Sequence, residues 1–346
     1  MNALESQLQY PFGDTVPATG ERLDLVPGIF WLRMPLPFAL DHINLWLLRD
    51  GNGWTVVDTG ASTPDTQAAW EQVAATRLDG LPLQRVLATH CHPDHIGMAD
   101  ALCRRWDVPF QITAGEYGFA RMMSAALPGV DGTSALPHFQ RHGLNDPDML
   151  EKMQSRKSYY PSLVPAVPAS YLRMQDGQQV VIGEHSWEVI AGYGHSPEHA
   201  SLYCAALNVL ISGDMVLPRI STNVSVFAVE PEGDPLGQYL ESLERFSHLP
   251  ADVLVLPSHG RPFRGLHTRI AQLRDHHDAR LAEVVEACRE PRTAADIVPL
   301  MFRRPLDAHQ LSFALGEALA HLHRLWRAGI VRRNIHTNGI IEFQTV

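Results

Sequence analysis

The sequence predicts a layered α/β protein with a helical insertion and a helical C-terminal appendage that ends in a β-hairpin. Three observations carry this expectation. Short apolar segments alternate with helical patterns from about Ile29 to Leu256. The stretch from about Glu116 to Leu172 breaks that alternation, with Met122, Met123, Met149 and Met153 set among prolines and aromatics. From about Gly265 the pattern turns helical and stays so until two closing apolar segments.

The first strands are read at Ile29–Leu32, Ile43–Leu48 and Trp54–Val57, with Asp50-Gly51-Asn52-Gly53 as a hairpin turn. A helix starts at about Thr63, with Pro64 in its first turn and Trp70, Val73 and Ala74 on one face. Val86–Ala88 is a short buried strand, followed by a helix over Ile96–Arg105 and a strand near Phe110–Ile112. The segment 116–172 is expected to be helical, either a lid or a packing element. Strands resume at Gln179–Ile182, Trp187–Ala191, Ser201–Ala205 and Val209–Ser212. A helix near Pro235–His248 precedes the strand Val253–Leu256. In the appendage, helices are expected over Leu266–Arg289, over Ala294–Met301 behind a Thr293 cap, and from about Asp307 to Ala328 before Gly329. Ile330–Arg333 and Ile340–Phe343 flank Thr337-Asn338-Gly339, read as a hairpin with an Asn-Gly turn. Helices closed by such a hairpin predict a winged-helix-like unit.

Composition narrows the function. The chain has 346 residues and formal charge −10, which argues weakly against a nucleic-acid binder. The charge is uneven: residues 262–346 hold 12 Lys/Arg and 9 Asp/Glu, so the acidity lies in the rest. Four scattered Cys without a Cys-x-x-Cys pair exclude a disulfide framework. No apolar run is long enough for a membrane span and the N-terminus lacks a signal-peptide pattern, so a cytoplasmic, non-membrane protein is expected. Eighteen histidines point to metal chemistry on nitrogen and oxygen.

The decisive run is Thr89-His90-Cys91-His92-Pro93-Asp94-His95, where a strand stops and a helix begins. Residues at i and i+2 of an irregular loop can converge on one point, and the Asp-His pair of the next helix can turn toward a neighbouring one. Two adjacent divalent ions therefore fit better than one. Imidazole with carboxylate suits Zn, Fe or Mn rather than Ca or Mg. Three later strand ends follow the same grammar: His195 in a glycine-bounded loop, Asp214 after Gly213, and His259 before Gly260.

These residues resemble the metallo-β-lactamase superfamily, in particular its dinuclear glyoxalase II-like hydrolases. The His-x-His-x-Asp-His motif matches at His90, His92, Asp94 and His95, and the later ligands match at His195, Asp214 and His259. The resemblance covers roughly residues 20–265. It implies an αββα sandwich with the metals at one edge. It implies one metal on His90, His92 and His195, a second on Asp94, His95 and His259, and Asp214 as a bridge. Zinc is the first expectation, with iron or manganese as alternatives. Asp58 matches a position behind the ligands, where it would accept a ligand imidazole N–H and fix its tautomer. His199 is a candidate for a place behind the ligands or on the substrate side, and Cys91 is a spacer. The implied organisation is an N-terminal tail over 1–20, a catalytic domain over 21–264 with its insertion at about 116–172, and a C-terminal domain over 265–346.

The implied chemistry is attack by a metal-bridging hydroxide, with Asp94 and Asp214 as the catalytic carboxylates. Class B β-lactamases generally lack the bridging carboxylate, so β-lactam hydrolysis is not expected. His92 stands where the flavodiiron pattern has Glu. A small-molecule substrate is favoured: a thioester, ester or lactone, acyl-CoA-like if the Met-rich insertion is an adaptable lid. Arg156-Lys157 would meet a substrate carboxylate or phosphate. The appendage resembles the winged-helix tail of lactamase-beta-like endoribonucleases, with Arg332-Arg333-Asn334-Ile335-His336 as a basic wing, so metal-dependent endoribonuclease activity is the first alternative. A mononuclear-iron sulfur dioxygenase is the second. A homodimer through the tail is a further expectation.

Overall fold

The computed structural model describes residues 4–38, 40–131, 133–154 and 159–346. Arg156 and Lys157 lie outside the described residues. Two sheets face each other. The first has seven strands in chain order: β1 (Arg22–Val26), β2 (Ile29–Pro35), β3 (His42–Asp50), β4 (Gly53–Val57), β5 (Leu83–Leu87), β6 (Phe110–Thr113) and β7 (Leu172–Met174). β1 to β4 form an antiparallel meander, and β4 to β7 run parallel. The second sheet contains β8 (Gln179–Ile182), β9 (His185–Gly192), β10 (His199–Cys204), β11 (Val209–Gly213) and β12 (Leu254–Pro257), in the order β12-β11-β10-β9-β8. The turn Gly51-Asn52 joins Asp50 to Gly53 in the two-residue hairpin read from the sequence.

The layers explain the continuous apolar strands. Trp46 and Leu48 of β3 point between the sheets, with Trp31, Trp187, Leu202, Ile211 and Leu256. Ile43, Leu45 and Leu47 of the same strand point outward, under α1 (Pro64–Thr76) and α3 (Ala99–Trp106). A strand buried on both faces has no polar alternate. The second sheet buries its outer face against α8 (Pro235–Glu244) and the C-terminal helices. The result is the αββα sandwich.

Several boundaries depart from the sequence expectation. The helix read over Ile96–Arg105 is two, α2 (Pro93–Ile96) and α3. Gly97 between them lies so close to the backbone of Ala61, Ser62 and Leu163 that a Cβ would stand 2.6–2.7 Å from those atoms. The insertion comprises α4 (Ala114–Ser124), α5 (Ala135–Arg141), α6 (Pro147–Gln154) and α7 (Tyr159–Leu163), and Leu172 already belongs to β7. It is not a Met-rich lid. Met153 is buried and Met149 packs beside it against the C-terminal helices, while Met123 packs on the first sheet's helical layer. Met122 alone of the four is exposed. The N-terminal segment is no loose tail: Leu8 and Glu5 are buried, and Gln9 pairs with Arg264.

The C-terminal unit contains α9 (Leu266–Ala287), α10 (Ala294–Met301), α11 (Ala308–Arg327) and the hairpin β13 (Val331–Ile335) and β14 (Ile341–Thr345). Thr293 caps α10 and Asp307 caps α11, each in a reciprocal capping box. The hairpin turns at the residues read from the sequence: His336 N donates to the Ile340 carbonyl (2.9 Å) and Gly339 N to the His336 carbonyl (2.9 Å), so Thr337-Asn338-Gly339 form a three-residue loop in which only Gly339 has positive φ. Leu315, Leu319 and Leu322 of α11 share one core with Leu236, Tyr239 and Leu243 of α8, so the unit is fused to the sandwich. No helix among the described residues is long and apolar enough to cross a membrane.

Candidate metal centre

β4, β5, β9, β11 and β12 all end at one edge of the sandwich; Asp58, His90, His92, His195, Asp214 and His259 sit in the loops beyond those ends, His199 opens β10, and Asp94 and His95 lie in α2. Backbone bonding fixes the loops there. The Asn44 side chain donates to the carbonyls of Pro257 (2.8 Å) and Gly260 (3.0 Å), bracketing His259. Thr59 N donates to His95 O (2.8 Å).

Two groups of ligand atoms result. His90, His92, His195 and Asp214 form one, and Asp94, His95 and His259 the other, each with its donor atoms within 4.8 Å of one another. In the first, His90 Nε2 lies 2.9 Å from His92 Nδ1 and 3.2 Å from His195 Nε2. In the second, Asp94 Oδ2 lies 3.3 Å from His259 Nε2 and 3.6 Å from His95 Nε2. Asp214 stands between them. Its Oδ2 is 3.4 Å from His195 Nε2, and its Oδ1 is 3.6 Å from both His95 Nε2 and His259 Nε2.

This set fits metal ions better than it fits an ordinary polar core. Imidazole nitrogens face one another, and His95 Nε2 and Asp214 Oδ1 are buried without a hydrogen-bond partner. Such orphaned atoms cost free energy unless something between them is bound. The electrostatics agree. Burial and the neighbouring His95 hold His90 well below the usual imidazole range, and burial lowers His92 to about 3. These rings are neutral, as ligation requires. Burial also opposes charge on His95, but Asp58, Asp94 and Asp214 outweigh it and raise the ring to about 9. For His259, Asp214 and Asp94 likewise overcome burial and push it well up.

The far ring nitrogens are held individually. Asp58, fully buried just after β4 with φ 63°, accepts from His95 Nδ1 (2.8 Å), Thr89 N (2.7 Å) and the Thr89 hydroxyl. His195 Nδ1 donates to the Asn223 carbonyl (2.7 Å), and His259 Nδ1 to the His42 carbonyl (2.9 Å). His199 is fully buried, and its Nε2 accepts the Asp214 amide (3.1 Å). Gly213 must be glycine for that: its φ is 54°, and a Cβ would stand 2.2 Å from the His199 ring. Cys91 is buried, but its thiol belongs to neither ligand group.

Sequence reasoning missed three supports. Glu116, at the start of α4, accepts from Cys91 N (2.8 Å), Ser196 Oγ (2.6 Å) and Glu198 N (2.6 Å). Tyr160 of α7 donates to the Cys91 carbonyl. The Asn223 side chain donates to Glu317 of α11 (3.4 Å), linking the C-terminal unit to the loop that orients His195. Only the strand-to-helix position of Glu116 carried any signal in the sequence. The hairpin arginines expected to form a basic wing are engaged: Arg333 pairs with Glu232 (2.7 Å) and Arg332 donates to Gln344 (2.6 Å).

Comparison with known proteins places the whole arrangement. Residues 39–259 match the metallo-beta-lactamase superfamily, and residues 281–346 match the metallo-beta-lactamase-like C-terminal domain. The crystal structure of a beta-lactamase domain protein from Burkholderia ambifaria is similar over the full length of both chains, at 57% identity and TM-score 0.95. A metallo-beta-lactamase family protein from Thermus thermophilus is 27% identical, at TM-score 0.78, over 93% of this chain and 100% of that one. The "Probable metallo-hydrolase YqjP" of Bacillus subtilis is 25% identical over 84% of this chain and 90% of its own length. With two adjoining His/Asp groups at the expected strand ends, the chain belongs to the metallo-β-lactamase superfamily and is a metal-dependent hydrolase with a dinuclear site.

Proposed function

We propose that the protein hydrolyses a small acyl thioester, ester or lactone, as a member of the glyoxalase II-like dinuclear branch. His90, His92 and His195 would hold one ion and Asp94, His95 and His259 the other, with Asp214 available to both and zinc as the first choice of metal. The observation that carries this reading is Asp214, whose two oxygens face the two ligand groups separately. Two bound cations supply an ionised water at neutral pH and polarise a carbonyl oxygen. The protein's own residues do the rest. Asp94 keeps part of its side chain open to solvent (16% exposed) and is placed to pass a proton from the attacking water to the leaving group. Asp58 and Asn223 fix the ligand tautomers, and His199 fixes the backbone of Asp214.

The surroundings favour an apolar acyl group over a nucleic acid. Phe119 of α4 lies 6.2 Å, ring to ring, from Phe227, which is 42% exposed four residues past Asn223. Phe38 and Tyr159 form a second aromatic contact at 6.3 Å. The ion-paired Arg333 speaks against a free basic wing. We assign the catalytic domain to residues 21–264 and the C-terminal domain to 265–346, with a supporting rather than a nucleic-acid-binding role for the latter.

The test is a substrate panel of acyl-CoA thioesters, S-lactoylglutathione, lactones and single-stranded RNA, with Asp94→Ala as control. Turnover of an acyl substrate that Asp94→Ala abolishes is the expected result. Cleavage of RNA alone would overturn the substrate class. One iron per chain with oxygen consumption would replace hydrolysis by the dioxygenase reading.

A further inference from the structure

We propose that Glu116 is a positioning residue through which the helical insertion builds one half of the metal centre. This rests on the ligand assignment made above. The three histidines of the first ligand group come from two loops that share no strand: His90 and His92 follow β5, and His195 follows β9. Glu116 bonds both. One carboxylate oxygen accepts the Cys91 amide between His90 and His92; the other accepts the Ser196 hydroxyl and the Glu198 amide just after His195.

Chemistry selects a carboxylate here. Three donors converge on a fully buried side chain, and an ionised carboxyl is an acceptor at both oxygens. The Cys91 amide would otherwise be buried without a partner. Placement in the first turn of an eleven-residue helix adds the favourable field of the helix N-terminus. Further bonds stitch the same turn to the His195 loop. Gly115 N donates to Glu198 Oε2 (2.8 Å), and Thr113 Oγ1 donates to the Glu198 carbonyl (2.7 Å).

Among the described residues the ring hydrogen bonds of the second ligand group come from outside the insertion, which meets that group only where α7 packs against α2. His95 rests on Asp58, and His259 on the His42 carbonyl. The insertion therefore governs the two ions unequally. Glu116→Gln keeps the size of the side chain but turns an amide NH2 toward donors on one side. The Cys91 peptide or the Ser196–Glu198 turn loses its acceptor, and the His90–His92 and His195 loops move apart.

The experiment is metal binding by chelator competition on metal-stripped full-length protein, with zinc as the probe and no substrate present. Glu116→Gln is expected to weaken one of the two sites about 10- to 100-fold and leave the other within about 2-fold. The background variant Asp94→Ala identifies the site, because it leaves only the first group intact. Asp94→Ala alone should retain one zinc, and the double variant should bind it about 10- to 100-fold more weakly. Should Glu116→Gln not fold, Ser196→Ala removes a single bond to the same carboxylate and should weaken the same site several-fold. Equal affinities at both sites, or an equal fall at both, would overturn the proposal. An inert substrate panel would remove the proposed activity and leave this result untouched.

Discussion

Asp58→Asn tests the tautomer control of the second ligand group. Asp58 accepts from His95 Nδ1, from Thr89 N and from the Thr89 hydroxyl. Asparagine tolerates the left-handed backbone at φ 63°, so the substitution acts on the side chain alone. It keeps one acceptor oxygen where the carboxylate has two. If that oxygen stays on Thr89 N, the new NH2 faces His95 and stabilises the tautomer protonated on Nε2, the wrong one for ligation. If it turns to His95, the buried Thr89 amide is left unpaired. Either way the cost is about 1–3 kcal/mol, which at 1.4 kcal/mol per tenfold is about 5- to 150-fold in affinity. Chelator competition with zinc should show one site weakened by that factor and the site of His90, His92 and His195 nearly unchanged. A folded Asp58→Asn protein with both affinities intact would refute the reasoning.

Metal removal by a chelator should lower Tm by several degrees, and zinc should restore it, since an ion at about 1,000 times its Kd adds about 4 kcal/mol; an unchanged Tm would sink the ligand assignment. Phe227→Ala should lower kcat/KM for long acyl chains about 5- to 30-fold through KM while sparing acetyl substrates, and a loss independent of chain length would exclude an acyl contact. The buried pair His138 and His142 should make the insertion acid-sensitive. Burial lowers them to about 4 and about 3. The folded state thus binds fewer protons than the unfolded chain, and stability falls as pH drops from about 6.5 toward those values. A Tm profile in which His142→Phe is as steep as the parent would disprove this.

The motif was legible because seven ligands lie at short sequence separations or at strand ends marked by glycine. His90, His92, Asp94 and His95 need one loop, and Gly213 and Gly260 flag the edges beside Asp214 and His259. The C-terminal caps were legible for the same local reason: Thr293 and Asp307 bond residues three positions on. The choice between lid and packing element stayed open because composition reports apolar side chains without saying what covers them. Met149 and Met153 found the C-terminal helices as partners. The break at Gly97 was hidden because its cause is the backbone of Ala61, Ser62 and Leu163.

Local patterns in the chain were enough for the capping of the tail, the types of the metal ligands and most of the strands and helices, but not for the edge strands β1 and β7, whose pairing partners and not their own residues make them strands. Tertiary structure alone decided which atoms support those ligands. Glu116 reaches a loop 80 residues away at Ser196 and another 25 away at Cys91. Glu317 meets Asn223 across 94 residues, and Arg333 meets Glu232 across 101. A hydrogen bond needs its partner within about 3 Å, and no local pattern encodes which distant segment the folded chain will bring there.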